Sequence, residues 1–327
     1  MNQPVTASYS LDELNKEATM GAPGLEAQRE VRVIDMQDFA GRKTKIADEI
    51  WAAATDIGFF QLKNHGIPLE NIQSAFERAE QFFALPQETK ARYPLNRNAG
   101  WESKAQIRPS TGTPDQKESW QLTRPRMAGL WPEEEVLPGF QQETLAFEQQ
   151  CWALGMQVLS CFALKLGFSE DFFTTAHDPA SPGYQSTLRM LHYYPVPLNT
   201  QSWRAGAHTD FDCLTLLFQR AGQGGLQVCP GKEHQSQAWT SIEPYDDVIT
   251  CNIGDMLMRW SDDLLPSNFH RVRNPRAGEY NGPRYSLAFF CQANEDVVIQ
   301  GPLGKYPPVS AKDYLAQRVS ANFSGKY

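Results

Sequence analysis

In the stretch Arg204-Ala205-Gly206-Ala207-His208-Thr209-Asp210 an imidazole and a carboxylate stand two residues apart. Side chains alternate between the two faces of an extended chain, so His208 and Asp210 project the same way and can grip one ion together. Two ligands are too few for tight binding. A third is offered by His270, in the strand-like piece Ser267-Asn268-Phe269-His270-Arg271-Val272. Two histidines and one carboxylate cover one face of a divalent metal such as iron and leave the opposite face open, an arrangement suited to oxygen chemistry. A lone His-x-Asp is a weak signal, because both residues are common as solvated groups near strand ends; the surroundings give it weight.

Beyond His270 a turn-rich link over residues 274–283 leads into the extended run Arg284-Tyr285-Ser286-Leu287-Ala288-Phe289-Phe290, and the two pieces read as antiparallel strands. Alternation puts Arg284, Ser286, Ala288 and Phe290 on one face. A guanidinium fork and a hydroxyl two residues apart suit a carboxylate held beside the metal. The plainer reading is a surface arginine at a strand start. Phe290 is a candidate wall of a substrate pocket, with core packing as its alternative.

These residues need elements to position them. Val31 to Met36 alternates like an edge strand, Lys43 to Thr55 carries apolar residues at helical spacing, and Gly58 to Leu62 reads as a strand, followed by a helix over Leu69 to Phe83. His65, in an Asn-His-Gly turn, suits a structural role there. From Tyr93 to Phe140 Pro109, Pro114, Pro125, Pro132 and Pro138 break the pattern, as expected of a lid loop, and Trp101, Trp120 and Trp131 are candidates to flank a substrate or simply to pack the loop. A long helix over Gln141 to Leu166 presents a stripe through Phe147, Leu154, Val158 and Phe162. After Ser186 short strands recur with turns between them, which suggests a sandwich or jelly roll. In the strand Leu188 to Pro195, alternation groups Leu188, Met190, His192 and Tyr194, a side that reaches the site if it faces inward. A helix over Ala311 to Ser320 closes the chain and is expected to pack on the outside. His177 and His234 lie in polar contexts and are expected at the surface.

His208-Thr209-Asp210, then His270, then Arg284-Tyr285-Ser286, in this order and spacing, resembles the 2-oxoglutarate and Fe(II)-dependent dioxygenases, in particular their isopenicillin N synthase-like branch. Ile57 to Ile67 is similar to the amino-terminal signature of that branch and Leu188 to Pro195 to its strand before the metal motif. The resemblance runs from about Val31 to Val319, nearly the whole chain. It implies a mainly β protein with flanking helices: a double-stranded β-helix (jelly roll) core with an N-terminal helical and strand extension. Residues 1–30 would form a polar arm, 31–180 the N-terminal region with its lid at 93–140, and 181–327 the catalytic region. It also implies Fe(II) on His208, Asp210 and His270, with 2-oxoglutarate as cosubstrate and O2 as oxidant. Arg284, Ser286 and Tyr194 would hold the far carboxylate of 2-oxoglutarate. His192 stands where many plant members have asparagine, so it either serves the site from behind or faces the substrate, or is a satisfied core histidine. The expected reaction is oxidation, by default hydroxylation, of a small organic substrate with release of succinate and CO2. Two alternatives stay open: an oxidase of the isopenicillin N synthase type that consumes no 2-oxoglutarate, and a non-catalytic metal-binding module.

Composition narrows the partners. The 327 residues, 41% hydrophobic and 21% charged, are ordinary for a globular protein. A formal net charge of -8, with no cluster of Lys and Arg, argues against nucleic acid and against an anionic membrane surface. The amino terminus lacks the basic start and apolar run of a secretion signal, and no apolar run is long enough to span a bilayer, so a cytoplasmic location is expected. Six cysteines are scattered without Cys-x-x-Cys spacing and read as buried free thiols.

Overall fold

Period-two patterning in the second half of the chain becomes a set of short strands, and a computed structural model of the protein closes them into two facing sheets. It describes residues 17, 19–107, 112–195, 203–231 and 235–322. His234 lies outside these.

The larger sheet has eight strands. In spatial order they are β2 (Val33–Asp35), β3 (Phe59–Lys63), β11 (Ile249–Ile253), β8 (Leu214–Gln219), β13 (Arg284–Cys291), β6 (Thr187–Tyr193), β5 (Lys117–Leu122) and β4 (Gly100–Ser103). The smaller has five: β1 (Leu25–Ala27), β10 (Ala238–Ser241), β9 (Leu226–Cys229), β12 (Phe269–Val272) and β7 (Ala205–His208). A short pair, β14 (Val298–Ile299) and β15 (Val309–Ser310), stands apart. This is the double-stranded β-helix expected, with β2 to β5 from the N-terminal half extending the large sheet.

Helices cover the outer face of the large sheet: α1 (Phe39–Asp56), α2 (Leu69–Ala84), the one-turn α3 (Gln87–Lys90), α4 (Phe140–Leu166) and α5 (Phe172–Ala176). The stripe Ile72, Ala75, Phe76, Ala79, Phe82 and Phe83 on α2 is buried, as 3.6-residue spacing requires. Phe82 stacks on Phe140 and meets Trp120, so truncating it to alanine would cost about 3–5 kcal/mol. Gly155 lets α4 press on β13, since a Cβ there would come 2.6 Å from Cys291 Sγ. Two further helices, α6 (Asp255–Trp260) and α7 (Ala311–Asn322), lie after β11 and at the end of the chain. Among the described residues no helix is long and apolar enough to cross a membrane.

Several expectations change. The strand holding His270 does not pair with the strand that begins at Arg284: β12 lies between β9 and β7, whereas β13 lies between β6 and β8, so the 274–283 link crosses from one sheet to the other. The stretch 93–140 is not a structureless lid, for its Lys117–Leu122 is a fully buried strand. The amino-terminal arm contributes β1, which pairs in parallel with β10. His177 is not at the surface but fully buried, and burial pushes its pKa down to about 4.

Candidate active site

Because helices cover one face of the large sheet and the small sheet covers the other, every residue of β6 and β13 meets protein, and alternation decides which kind. Leu287, Phe289 and Cys291 of β13 and Leu188 and Met190 of β6 join the core under the helices. Arg284, Ser286, Ala288 and Phe290, with Thr187, Arg189, Leu191 and Tyr193, face a cavity of about 810 Å³ between the sheets.

At one end of this cavity β7 and β12 run antiparallel with His208 opposite His270, and their rings lie 4.3 Å apart. Asp210 follows β7 and completes the cluster: His208 Nε2 is 3.9 Å from Asp210 Oδ1 and His270 Nε2 is 3.6 Å from Oδ2. One ligand atom from each of the three lies within 4.8 Å of the others, a span that fits a single metal ion. His208 Nδ1 lies 2.8 Å from Gly206 O, and donating there leaves the Nε2 lone pair free toward the cluster. Asp210 Oδ2 accepts hydrogen bonds from Thr215 Oγ1 at 2.7 Å and Asn252 Nδ2 at 2.8 Å. Burial alone would raise its pKa; the field of His270 and these two hydrogen bonds outweigh it and hold the carboxyl below the usual range.

At the other end, Arg284 is 1% exposed and donates from Nε to Gln223 O at 3.0 Å, while its Nη1 is buried without a hydrogen-bond partner. Ser286, fully buried, has an unpartnered Oγ. The Arg284 guanidinium lies 4.8 Å from the centre of the Tyr193 ring. Lys117 sits across the sheet from Tyr193 and lines the same end, its Nζ 3.1 Å from Asp115 Oδ2. Arg204 is buried close by, and burial together with the charge of Arg284 pushes its pKa down to about 10, which still leaves it protonated at neutral pH. No carboxylate among the described residues pairs with Arg204 or Arg284. Leaving buried donors unpaired costs about 1–3 kcal/mol each, more when charged, so this end is built for an anion with several acceptor oxygens.

Tyr194 and His192 do not join the site. The side of β6 that carries Leu188, Met190 and His192 is the helix-covered one. His192 stacks on Tyr285 at 4.7 Å with its Nδ1 2.8 Å from Glu118 Oε1. The Tyr194 hydroxyl bonds to Ser103 Oγ at 2.9 Å, and its ring is edge-on to His192. The tyrosine beside Arg284 is Tyr193. The tryptophans are also absent from the cavity wall: Trp120 is core, and Trp101 donates to Glu118 Oε2 at 2.8 Å. Phe290 does line the cavity, with the Arg189 guanidinium 4.8 Å from its ring centre. Sequence reasoning misses Arg189 and Asn252, although a lone charge in Leu188-Arg189-Met190 and a lone amide in Cys251-Asn252-Ile253 are the signals that mark them.

The chain is similar to known proteins along most of its length. Residues 184–293 match the model of the 2OG-Fe(II) oxygenase superfamily and residues 31–135 that of the non-haem dioxygenase in morphine synthesis N-terminal. The 2-oxoglutarate-Fe(II) type oxidoreductase hxnY of Emericella nidulans is 31% identical over 319 residues, covering 86% of this chain and 87% of its own. The proline hydroxylase buaE of Petromyces alliaceus is 32% identical, covering 83% and 90%. Among solved structures, a full-length Neurospora crassa protein in complex with alpha-KG and thymine superposes with a TM-score of 0.78 at 30% identity, over 89% of this chain and 96% of that one.

Proposed function

Since the chain belongs to the 2OG-Fe(II) oxygenase superfamily, it is an oxidoreductase that uses iron, 2-oxoglutarate and O2, and we propose that it hydroxylates a small planar molecule bearing an anionic or carbonyl oxygen. In this reading His208, Asp210 and His270 hold Fe(II), and Arg284 and Ser286, with Tyr193 beside them, hold the far carboxylate of 2-oxoglutarate. The observation that carries it is the meeting, in one cavity, of a three-ligand cluster with a buried arginine Nη1 and a buried serine Oγ that lack partners. Iron with its cosubstrate supplies the oxidising chemistry, with release of succinate and CO2. The protein's own part is positioning. Thr215 and Asn252 fix the Asp210 carboxylate, Arg284 and Ser286 fix one end of the cosubstrate, and the apolar walls from Leu191, Ala288 and Val272 limit water.

The substrate reading rests on Arg189 and Phe290. Arg189 donates from Nη2 to Gln121 Oε1 at 2.9 Å, its Nε is buried without a partner, and no described carboxylate pairs with it. A flat ring on Phe290 with an oxygen toward Arg189 satisfies both groups. Among the relatives, one structure holds thymine and one name is that of a proline hydroxylase, so small molecules of this size are the class to test. The six cysteines are all buried and free, which supports a reducing, cytoplasmic setting.

The test is iron-dependent release of succinate from 2-oxoglutarate, with thymine, benzoate and L-proline offered in turn. A planar compound that raises the rate in the parent and not in Arg189→Met supports the reading. Oxygen uptake with no 2-oxoglutarate consumed would instead favour the oxidase reading.

A further inference from the structure

Three residues after Leu315, which lines the cavity, the closing helix α7 carries Arg318, 1% exposed. Its Nη2 bonds to Asp255 Oδ2 and lies 3.4 Å from Thr209 Oγ1. Thr209 Oγ1 in turn donates to Asp255 Oδ2 at 3.0 Å. Thr209 stands between His208 and Asp210. We propose that Arg318, from the end of the chain, is a positioning residue for the metal-ligand segment, acting through Asp255 and Thr209; this rests on the assignment of the metal to His208, Asp210 and His270.

The segment is held at close quarters by the start of α6. The backbone N–H of Asp255 donates to Asp210 O at 2.8 Å, that of Met256 to Asp212 O at 3.0 Å and that of Gly254 to Cys213 O at 3.2 Å. A Cβ on Gly254 would stand 2.2 Å from Asp212 O, so this approach needs glycine. Main-chain bonds fix the loop after Asp210 and the β7–β12 ladder holds His208; between the two ligands the Thr209 side chain is tied by its hydroxyl, whose acceptor is the buried Asp255 carboxylate. That carboxylate is tolerable at 1% exposure because Arg318 neutralises it. Arg318 also lies over Phe211, 5.3 Å from the ring centre. Without the guanidinium, Asp255 is a buried charge lacking its counterion. It then gains by drawing in water or moving outward, and either motion takes Thr209, and the spacing of the two ligands around it, along. The rest of α7 is anchored independently: Lys312 Nζ lies 3.3 Å from Glu295 Oε2, and the Ala311 N–H donates to Val297 O at 2.8 Å.

The test measures metal affinity rather than turnover, by anaerobic titration with Co(II) while following its ligand-field absorption. Arg318→Met and Thr209→Val are each expected to weaken Co(II) binding about tenfold or more, the range seen when partners of metal ligands are removed. The double variant should weaken it little further, because both act through one link. Arg318→Lys, which keeps the charge, should recover part of the loss. Lys312→Ala loosens the same helix elsewhere and should leave affinity unchanged. If Arg318→Met does not fold, Thr209→Val still tests the last link. Wild-type affinity in Thr209→Val, or in a folded Arg318→Met, would overturn the proposal. A parent protein that binds no Co(II) would overturn the metal assignment itself, so the two failures are distinguishable.

Discussion

On the outer face of the large sheet Glu118 is buried with Lys90 Nζ at 2.7 Å, Trp101 Nε1 at 2.8 Å and His192 Nδ1 at 2.8 Å. Two strands away on the inner face, Arg284 Nη1 and Ser286 Oγ are equally buried and have no partner. Both clusters cost desolvation energy, yet only the Glu118 carboxylate recovers it within the folded chain. In the outer cluster both Glu118 oxygens are satisfied, and Lys90, which also donates to Phe83 O, ties α2 and α3 to the sheet. The inner one is completed by what binds. Burial of a polar group therefore says little about function until its hydrogen bonds are counted.

The sharpest way to break this contrast is to exchange the expected losses. Asp210→Ala should take activity to background with the fold intact, checked by metal content and circular dichroism, since it removes a proposed metal ligand and, of the packing, only the hydrogen bonds from Thr215 and Asn252. Glu118→Gln should do the opposite. It leaves the Lys90 ammonium buried without a counterion and should lower stability by about 3 kcal/mol, read by denaturant unfolding, with 2-oxoglutarate affinity unchanged. Its effect should fade in acid. Burial raises the Glu118 pKa, but hydrogen bonds from His192, Lys90 and Trp101 outweigh it and hold the folded carboxyl below the ordinary value. The stability it contributes is therefore present above the unfolded-state pKa and is lost as pH falls through the folded one, so parent and Glu118→Gln curves should converge at that limb. The smallest effects separate two adjacent tyrosines. Tyr193→Phe should raise the KM for 2-oxoglutarate by up to about tenfold, the worth of one hydrogen bond of roughly 1.5 kcal/mol, and Tyr194→Phe should not move it.

That pair also shows where the sequence stops being readable. The type and spacing of His208, Asp210, His270, Arg284 and Ser286 are visible because their chemistry is rare in strands. Alternation divides β6 correctly into two sets, but it does not say which set faces the cavity. Both faces of this sheet are covered, so apolar residues occur on each and hydrophobicity no longer marks the inside. The same ambiguity hid β5, whose Lys117-Glu118-Ser119-Trp120-Gln121-Leu122 is polar in composition yet buried throughout. Tertiary structure supplies the partners that make this tolerable: Asp115 for Lys117, Lys90 for Glu118, Glu102 for Ser119 and Arg189 for Gln121. The crossing of the 274–283 link between sheets and the reach of Arg318 back to Thr209 are long-range facts. Local pattern carries no trace of them.

The most direct measurement is an anaerobic titration of the Fe(II)-loaded protein with 2-oxoglutarate, following the weak visible charge-transfer band of the metal-bound cosubstrate, with Arg284→Ala beside the parent. Losing a buried, charge-assisted contact of about 2–5 kcal/mol should raise the half-saturating concentration by roughly 30-fold or more. Superimposable titrations in parent and variant, with iron bound in both, would contradict the account: the buried Arg284 guanidinium would then not be what holds the cosubstrate.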